Sequence, residues 1–327
     1  MIRGMTRWGI LSTARITAAA LIDAGAQVAA VASRDRERGE AFAARHGIER
    51  VHDSYQQLID DPDVDAIYNP LPNSLHLPWS VRALEAGKHV LCEKPLGRRA
   101  ADVAAAFDAA ARSDRVLAEA FFWRYHPQVE IAIDLLASGA VGRPLLVRSS
   151  CGFPLSDLDD IRMQTDLEGG SLMDVGCYCV HGARNLLRVE PSRVYAEQSL
   201  DGAHGVDMTT VGILRFPSDA LTTFDCSFVT PDRSELEVVG DDGTLIFSDP
   251  WPDPAVTRPA SIELRRPDGV ETIAVPNADA YALQLAHVEA SFRGEVRPLC
   301  DRVDAVGQAR AIEALYESAD RGVSVAI

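Results

Sequence analysis

Lysine is almost missing from this chain: Lys88 and Lys94 are the only two in 327 residues, and the other thirty of its 32 basic residues are arginine. Asparagine is nearly as scarce, at positions 69, 73, 185 and 277. A composition so rich in Ala, Arg and Asp replaces Lys and Asn wherever a substitute serves, which makes the survivors candidates for chemistry. A positive balance is also lacking: 48 acidic residues give a formal charge of −16, against a sequence-independent grip on nucleic acid, which needs a basic surface. No run of roughly 18 apolar residues is present, so no membrane span is expected. Two arginines lie between Met1 and Trp8, but no apolar targeting core or cleavage site follows. These absences predict a soluble, cytoplasmic protein. The six cysteines form no C-x-x-C pair, and buried, reduced thiols are expected. Cys177, Cys179 and His181 lie in a helical pattern, where i and i+2 point to different faces, so no metal is expected.

What is present alternates. Apolar runs at 6–11, 27–32, 65–69, 89–92 and 116–120 read as buried strands, and helical patterns lie between them at 14–24, 35–45, 74–85 and 99–112. A capping box at Ser54 opens one more short helix. That rhythm predicts an α/β fold with a doubly wound parallel sheet over residues 1–122. From 123 to 327 the pattern becomes α+β. Helices at 127–137 and 171–187 precede strand-like runs from 193 to 275, with hairpin turns at Asp241-Asp242-Gly243 and Pro267-Asp268-Gly269. Two helices close the chain, the last expected to pack back on the first domain. The second domain is expected to carry a large, mainly antiparallel open sheet whose uncovered face makes a homodimer or homotetramer. Val211, Ile213 and Phe216, or else Leu221, Thr223 and Asp225, would line that face.

Ligands of an open parallel sheet bind at the carboxyl ends of its strands. After the first strand comes Ser12-Thr13-Ala14-Arg15-Ile16-Thr17, where a dinucleotide fold carries G-x-G-x-x-G, with a small residue at each glycine position. A non-glycine residue at positive φ costs about 1–3 kcal/mol, so this turn is expected at negative φ, with helix-terminal N–H groups meeting a pyrophosphate. The second strand ends in Ser33-Arg34 rather than an acid. A hydroxyl and a guanidinium suit the 2′-phosphate of NADP better than the free ribose of NAD. Asn69-Pro70-Leu71-Pro72-Asn73, followed by His76, is a stiff loop expected near the nicotinamide ribose.

The strand at 89–92 runs into Glu93-Lys94-Pro95. A lysine at this rim binds a substrate hydroxyl and lowers the pKa of a neighbouring acid. Asp174 and Tyr178 lie four apart across Gly176, on one helix face. Tyr178 near Lys94 would accept an alcohol's proton as hydride leaves, while Asp174 orients a substrate hydroxyl or the lysine.

These segments carry a resemblance. Arg7-Trp-Gly-Ile-Leu-Ser-Thr-Ala-Arg-Ile16, Asn69-Pro-Leu-Pro-Asn-Ser-Leu-His76, Glu85-Ala-Gly-Lys-His-Val-Leu-Cys-Glu-Lys-Pro95, Glu119-Ala-Phe-Phe-Trp-Arg-Tyr-His-Pro127 and Asp174-x-Gly-x-Tyr178 resemble the Gfo/Idh/MocA oxidoreductases. They are most similar to the branch of NADP-dependent D-xylose dehydrogenases and dimeric trans-dihydrodiol dehydrogenases. Ser12 and Thr17 depart from the Gly and Ala usual in that branch. The resemblance implies Lys94, Asp174 and Tyr178 as the catalytic group. Ser12 to Ile16, Ser33, Arg34, Asn69 to Leu71, Asn73, His76, Glu93, Lys94, Trp123 and Arg124 are expected to line NADP. Tyr125, His126 and Phe153 join the catalytic group around the substrate. The expected reaction is dehydrogenation of a sugar or cyclic polyol. A trans-dihydrodiol, favoured by Phe121, Phe122, Trp123 and Phe153, is the alternative, then keto-sugar reduction. A sensor without catalysis is the reading from a different class.

Overall fold

Buried apolar runs set the first sheet. The computed structural model describes residues 5–251 and 260–327; residues 1–4 of the amino end considered above lie outside them. In chain order the first elements are β1 (Arg7–Leu11), β2 (Gln27–Ala32), α1 (Arg36–His46), β3 (Arg50–His52), α2 (Tyr55–Ile59), β4 (Ala66–Asn69), α3 (Asn73–Glu85), β5 (His89–Glu93), α4 (Ala100–Arg112) and β6 (Leu117–Ala120). Then come α5 (Pro127–Ala137), β7 (Pro144–Gly152), α6 (Cys177–Leu187), β8 (Arg193–Leu200), β9 (Asp207–Arg215), β10 (Leu221–Ser227), β11 (Arg233–Gly240), β12 (Thr244–Phe247), β13 (Ser261–Arg266) and β14 (Gly269–Ala274). The chain finishes with α7 (Ala280–Phe292), α8 (Arg302–Arg321) and β15 (Val325–Ala326).

The chain divides into two compact units. The first is Met1–Phe122 with Asp279–Val306, and the second is Trp123–Ala278 with Gly307–Ile327. The segment that returns to the first unit is therefore α7 with the start of α8, not the last helix as a whole. Aromatic packing explains this: Phe292 of α7 stacks on His89 at 4.5 Å, and Glu289 accepts the Trp8 indole N–H at 2.8 Å.

Six parallel strands in the order β3-β2-β1-β4-β5-β6 form the sheet of the first unit. Its helices begin as the sequence dictates. Asp35 accepts the Arg38 N–H at 3.1 Å and Ser54 the Gln57 N–H at 3.2 Å, each satisfying a donor that the first helical turn leaves open. Lys88, largely buried, donates to the carbonyls of Asp61 and Val64 at 2.7 and 2.6 Å, tying the chain between α2 and β4 to the start of β5. A flexible stem ending in a compact ammonium suits that pocket better than a planar guanidinium, which accounts for one of the two lysines.

Nine strands make the sheet of the second unit, in the order β14-β13-β12-β11-β7-β10-β9-β8-β15, with β7 and β10 parallel and the other pairs antiparallel. One face packs against α6 and the turn before it. On the other face Val211 stands opposite Asp225 and Ile213 opposite Thr223. The two sets expected as alternatives therefore share one surface, where Val211 is 52% exposed. Phe216 is a correction: it is 1% exposed and lies beyond the end of β9, inside the core.

Candidate active site

In the first unit the expected cofactor residues gather at the carboxyl ends of β1, β2, β4 and β5, which are neighbours in the sheet. Ser12 overturns one expectation: its φ is +107°, not negative. The tight exit from β1 forces that backbone. Ser12 N–H donates to Ala32 O at 2.8 Å, and its hydroxyl accepts Ala14 N–H at 3.0 Å. These bonds offset part of the strain. A short helix follows and contains a π-turn at Ala18–Ile22.

At the tip of β2 the Ser33 hydroxyl accepts Asp35 N–H at 3.3 Å, leaving its proton to donate elsewhere, and Arg34 is exposed. Asp35 turns its carboxylate to the α1 cap. The tip thus presents a hydroxyl and a guanidinium without a competing acid. Arg34 is flanked by Tyr55, which packs edge-on against Trp79 at 5.1 Å.

The Asn69–His76 loop is held from within. Asn69 is fully buried; its amide donates to His76 O and the Ser80 hydroxyl and accepts Leu71 N–H. Its contribution is the shape of the loop. His76 is also buried, and burial lowers its pKa to about 4, so the neutral ring donates from Nδ1 to Pro95 O at 2.9 Å. On the other side of the same segment, the buried Glu119 accepts Leu96 N–H at 2.7 Å. Lys94, half-buried and joined to Pro95 by a cis peptide, is therefore followed by a backbone clasped from α3 and from β6. Glu93 beside it accepts the Tyr68 hydroxyl at 2.7 Å.

In the second unit Asp174 lies within a π-turn, Leu172–Gly176, that runs into α6, where Tyr178 sits in the first turn. The sequence pattern read one continuous helix here. Gly176 explains the tight packing: a Cβ there would fall 2.6 Å from Cys226 Sγ on β10. π-turns of this kind recur at functional sites. The start of this helix hangs on a buried carboxylate that the pattern did not reveal. Asp207 accepts Leu172 N–H and the hydroxyls of Ser171, Thr210 and Tyr316, all between 2.7 and 2.9 Å. Burial nonetheless raises its pKa. Asp174 itself is engaged by Arg162, whose Nε donates to Oδ2 at 2.7 Å.

Tyr178 is 9% exposed, and its ring lies 5.6 Å from that of Trp251. The indole N–H of Trp251 is buried without an acceptor among the described residues. Trp123, expected against the cofactor, is fully buried and donates its indole N–H to His181 Nδ1 at 3.0 Å. Arg124 is half-buried and Tyr125 buried. His126, also buried, caps α5 through Gln128 N–H. Phe153 packs on Phe228, with the Arg162 guanidinium 5.9 Å from its ring centre. The sulfurs of Cys177 and Cys179 donate to different carbonyls, of Asp174 and Asp225, while His181 faces Trp123, so the three side chains diverge.

The chain is similar to known proteins along nearly its whole length. Residues 8–121 match the model of an oxidoreductase family with an NAD-binding Rossmann fold, and residues 129–246 match the GFO/IDH/MocA C-terminal domain. The chain is 40% identical over 324 residues to D-xylose 1-dehydrogenase (NADP(+)) 2 of Haloferax volcanii, covering 97% of this chain and 98% of that one. Among solved structures it is similar to an aldose-aldose oxidoreductase of Caulobacter crescentus complexed with glycerol (TM-score 0.89, 28% identity, 99% and 100% of the two chains). It is likewise similar to KijD10, a 3-ketoreductase of Actinomadura kijaniata in complex with NADP and TDP-benzene (TM-score 0.91, 29% identity, 96% and 98%). No helix among the described residues is long and apolar enough to cross a membrane. The chain belongs to the Gfo/Idh/MocA family of oxidoreductases.

Proposed function

We propose that this chain is an NADP-dependent dehydrogenase that transfers a hydride between nicotinamide C4 and a hydroxyl-bearing carbon of a sugar or cyclic polyol. What carries the reading is the 40% identity, over nearly the whole chain, to a protein named as an NADP(+)-dependent D-xylose dehydrogenase, with Lys94, Asp174 and Tyr178 all present. The β2 tip supports the choice of dinucleotide. Ser33 and Arg34 suit a 2′-phosphate, and Asp35 is withdrawn into a helix cap.

NADP supplies the hydride acceptor when bound. The remaining work falls to this chain's side chains. Tyr178 takes the proton of the substrate hydroxyl as that carbon is oxidised, and returns it in the reverse direction. Lys94 binds the same hydroxyl and favours its developing negative charge. Asp174 accepts a hydrogen bond from a neighbouring hydroxyl, which favours polyols over simple alcohols. The reading includes a cytoplasmic setting and a homodimer or homotetramer formed through the open face of the nine-stranded sheet, where Val211 and Ile213 are 52% and 42% exposed.

Titration of the purified protein with NADPH and NADH, followed by quenching of tryptophan fluorescence, tests the cofactor. A panel of aldoses and aryl trans-diols then tests the substrate. Tighter binding of NADPH and turnover of aldoses are expected. Binding of neither dinucleotide would overturn the reading in favour of a sensor, and turnover confined to aryl diols would replace the sugar.

A further inference from the structure

Asp174 is not left to find its own orientation. The segment between β7 and the π-turn carries Asp157, Asp159, Asp160, Asp166 and Glu168, and Arg162 is the one Arg or Lys from residue 149 to 183. Its guanidinium meets two of the surrounding acids: Nε donates to Asp174 Oδ2 at 2.7 Å, and Nη1 lies 3.2 and 3.3 Å from the two oxygens of Asp160. Asp160 in turn caps the short helical turn that holds Arg162, accepting its N–H at 2.9 Å.

The backbone of Arg162 is anchored to the same strip of chain. Its carbonyl accepts Gly170 N–H at 2.9 Å, and Gly170 O accepts Asp174 N–H at 3.1 Å. Gly169 must lack a side chain for this to form, because a Cβ there would fall 2.3 Å from Arg162 O. Main chain and side chain of one residue thus reach the segment that carries Asp174, twelve positions on. A surface ion pair between two long, mobile side chains shows no such double attachment. The Phe153 ring limits the guanidinium on one side.

We propose that Arg162 is a positioning residue for the reaction: it holds the carboxylate of Asp174 through Oδ2 and so sets the orientation in which that group meets a substrate hydroxyl. None of the five motifs that carry the family resemblance includes Arg162. The inference rests on the proposed polyol dehydrogenase reading, because it assigns Asp174 a substrate to meet.

A double-mutant cycle tests it. Arg162→Met is expected to lower kcat/KM for the sugar about 10- to 100-fold, through the sugar's KM and kcat, with the NADPH dissociation constant changed by less than about threefold. Arg162→Lys, which keeps the charge but loses the fork, is expected to recover part of the loss. Asp174→Asn removes the group through which Arg162 acts, so adding Arg162→Met to it should cost less than about threefold more. If the methionine variant does not fold, Arg162→Lys and Arg162→Gln complete the same cycle. An active wild type whose two losses multiply, or an Arg162→Met enzyme with unchanged sugar kinetics, overturns the inference alone. A wild type idle on every sugar overturns the reading of the reaction, and the inference with it.

Discussion

Ser12→Gly and Ser12→Ala differ in a single respect that the structure makes decisive. Both remove the hydroxyl that accepts Ala14 N–H, a loss of about 0.5–1.5 kcal/mol. Alanine leaves a side chain at φ +107°, whereas glycine adopts that conformation without steric cost. The strain at such a position is on the order of 1–3 kcal/mol. Glycine gives back about 0.4–1 kcal/mol through its greater freedom in the unfolded chain. Ser12→Ala is therefore expected to be about 1 kcal/mol less stable than wild type. Ser12→Gly is expected to lie near wild type, about 1 kcal/mol above alanine. The assay is urea unfolding followed by tryptophan fluorescence, to which Trp8 and Trp79 contribute from the first unit and Trp123 and Trp251 from the second; two-state behaviour is checked with a second probe because the chain has two units. In a thermal melt the gap between the variants corresponds to roughly 2–4 °C. An alanine variant as stable as the glycine variant would refute the argument that positive φ stores strain here.

Two further outcomes follow from buried groups of the first unit. Burial holds His76 and His89 at about 4, below the ordinary 6.5, so the unfolded chain binds protons that the folded one refuses. Their stabilising contribution is complete above pH 6.5 and declines as pH falls from 6.5 to about 4, by on the order of 3 kcal/mol per histidine at most. Urea unfolding at pH 7.5, 5.5 and 4.5 should show the decline, and His89→Gln should make it shallower, leaving the share of His76; a wild-type curve level across that range would contradict the assignment. Lys88→Met removes the ammonium donor from the carbonyls of Asp61, which keeps Val64 N–H, and Val64, and is expected to cost about 1–3 kcal/mol of stability. The ratio of NADPH to NADH affinity should not change, and a variant as stable as wild type would show that the ammonium does not hold that junction.

The strands that support the site were legible because burial on both faces writes a continuous apolar run: β2, Gln27–Ala32, matches its expected limits. β3 escaped notice because Arg50–His52 is three residues long, lies at the sheet edge and carries two polar side chains. Lys94, Asp174 and Tyr178 stood out by residue type and spacing. Arg162, Glu119 and Asp207 did not, since their importance depends on a partner at a distance in sequence: Glu119 on Leu96, Asp207 on Leu172 and Tyr316. Arg162 lies in an irregular segment, where no periodicity marks a face. Scarcity pointed to two lysines in different settings: Lys88 holds a junction, and Lys94 follows β5 at the carboxyl edge of the sheet. It was a poorer guide to asparagine, because Asn69 spends its amide within its own loop. The conformation of Ser12 was misjudged by weighing its local cost alone, when the exit from β1 fixes the turn.

Lys94→Met is the most direct test of the central claim that this chain oxidises hydroxyl groups with Lys94 at the reacting centre. Steady-state turnover of the best aldose and NADPH affinity by fluorescence would be measured on the same preparation. The account predicts a loss of about 10²–10⁴-fold in kcat with NADPH affinity nearly unchanged. Turnover close to wild type in a well-folded Lys94→Met enzyme would contradict it.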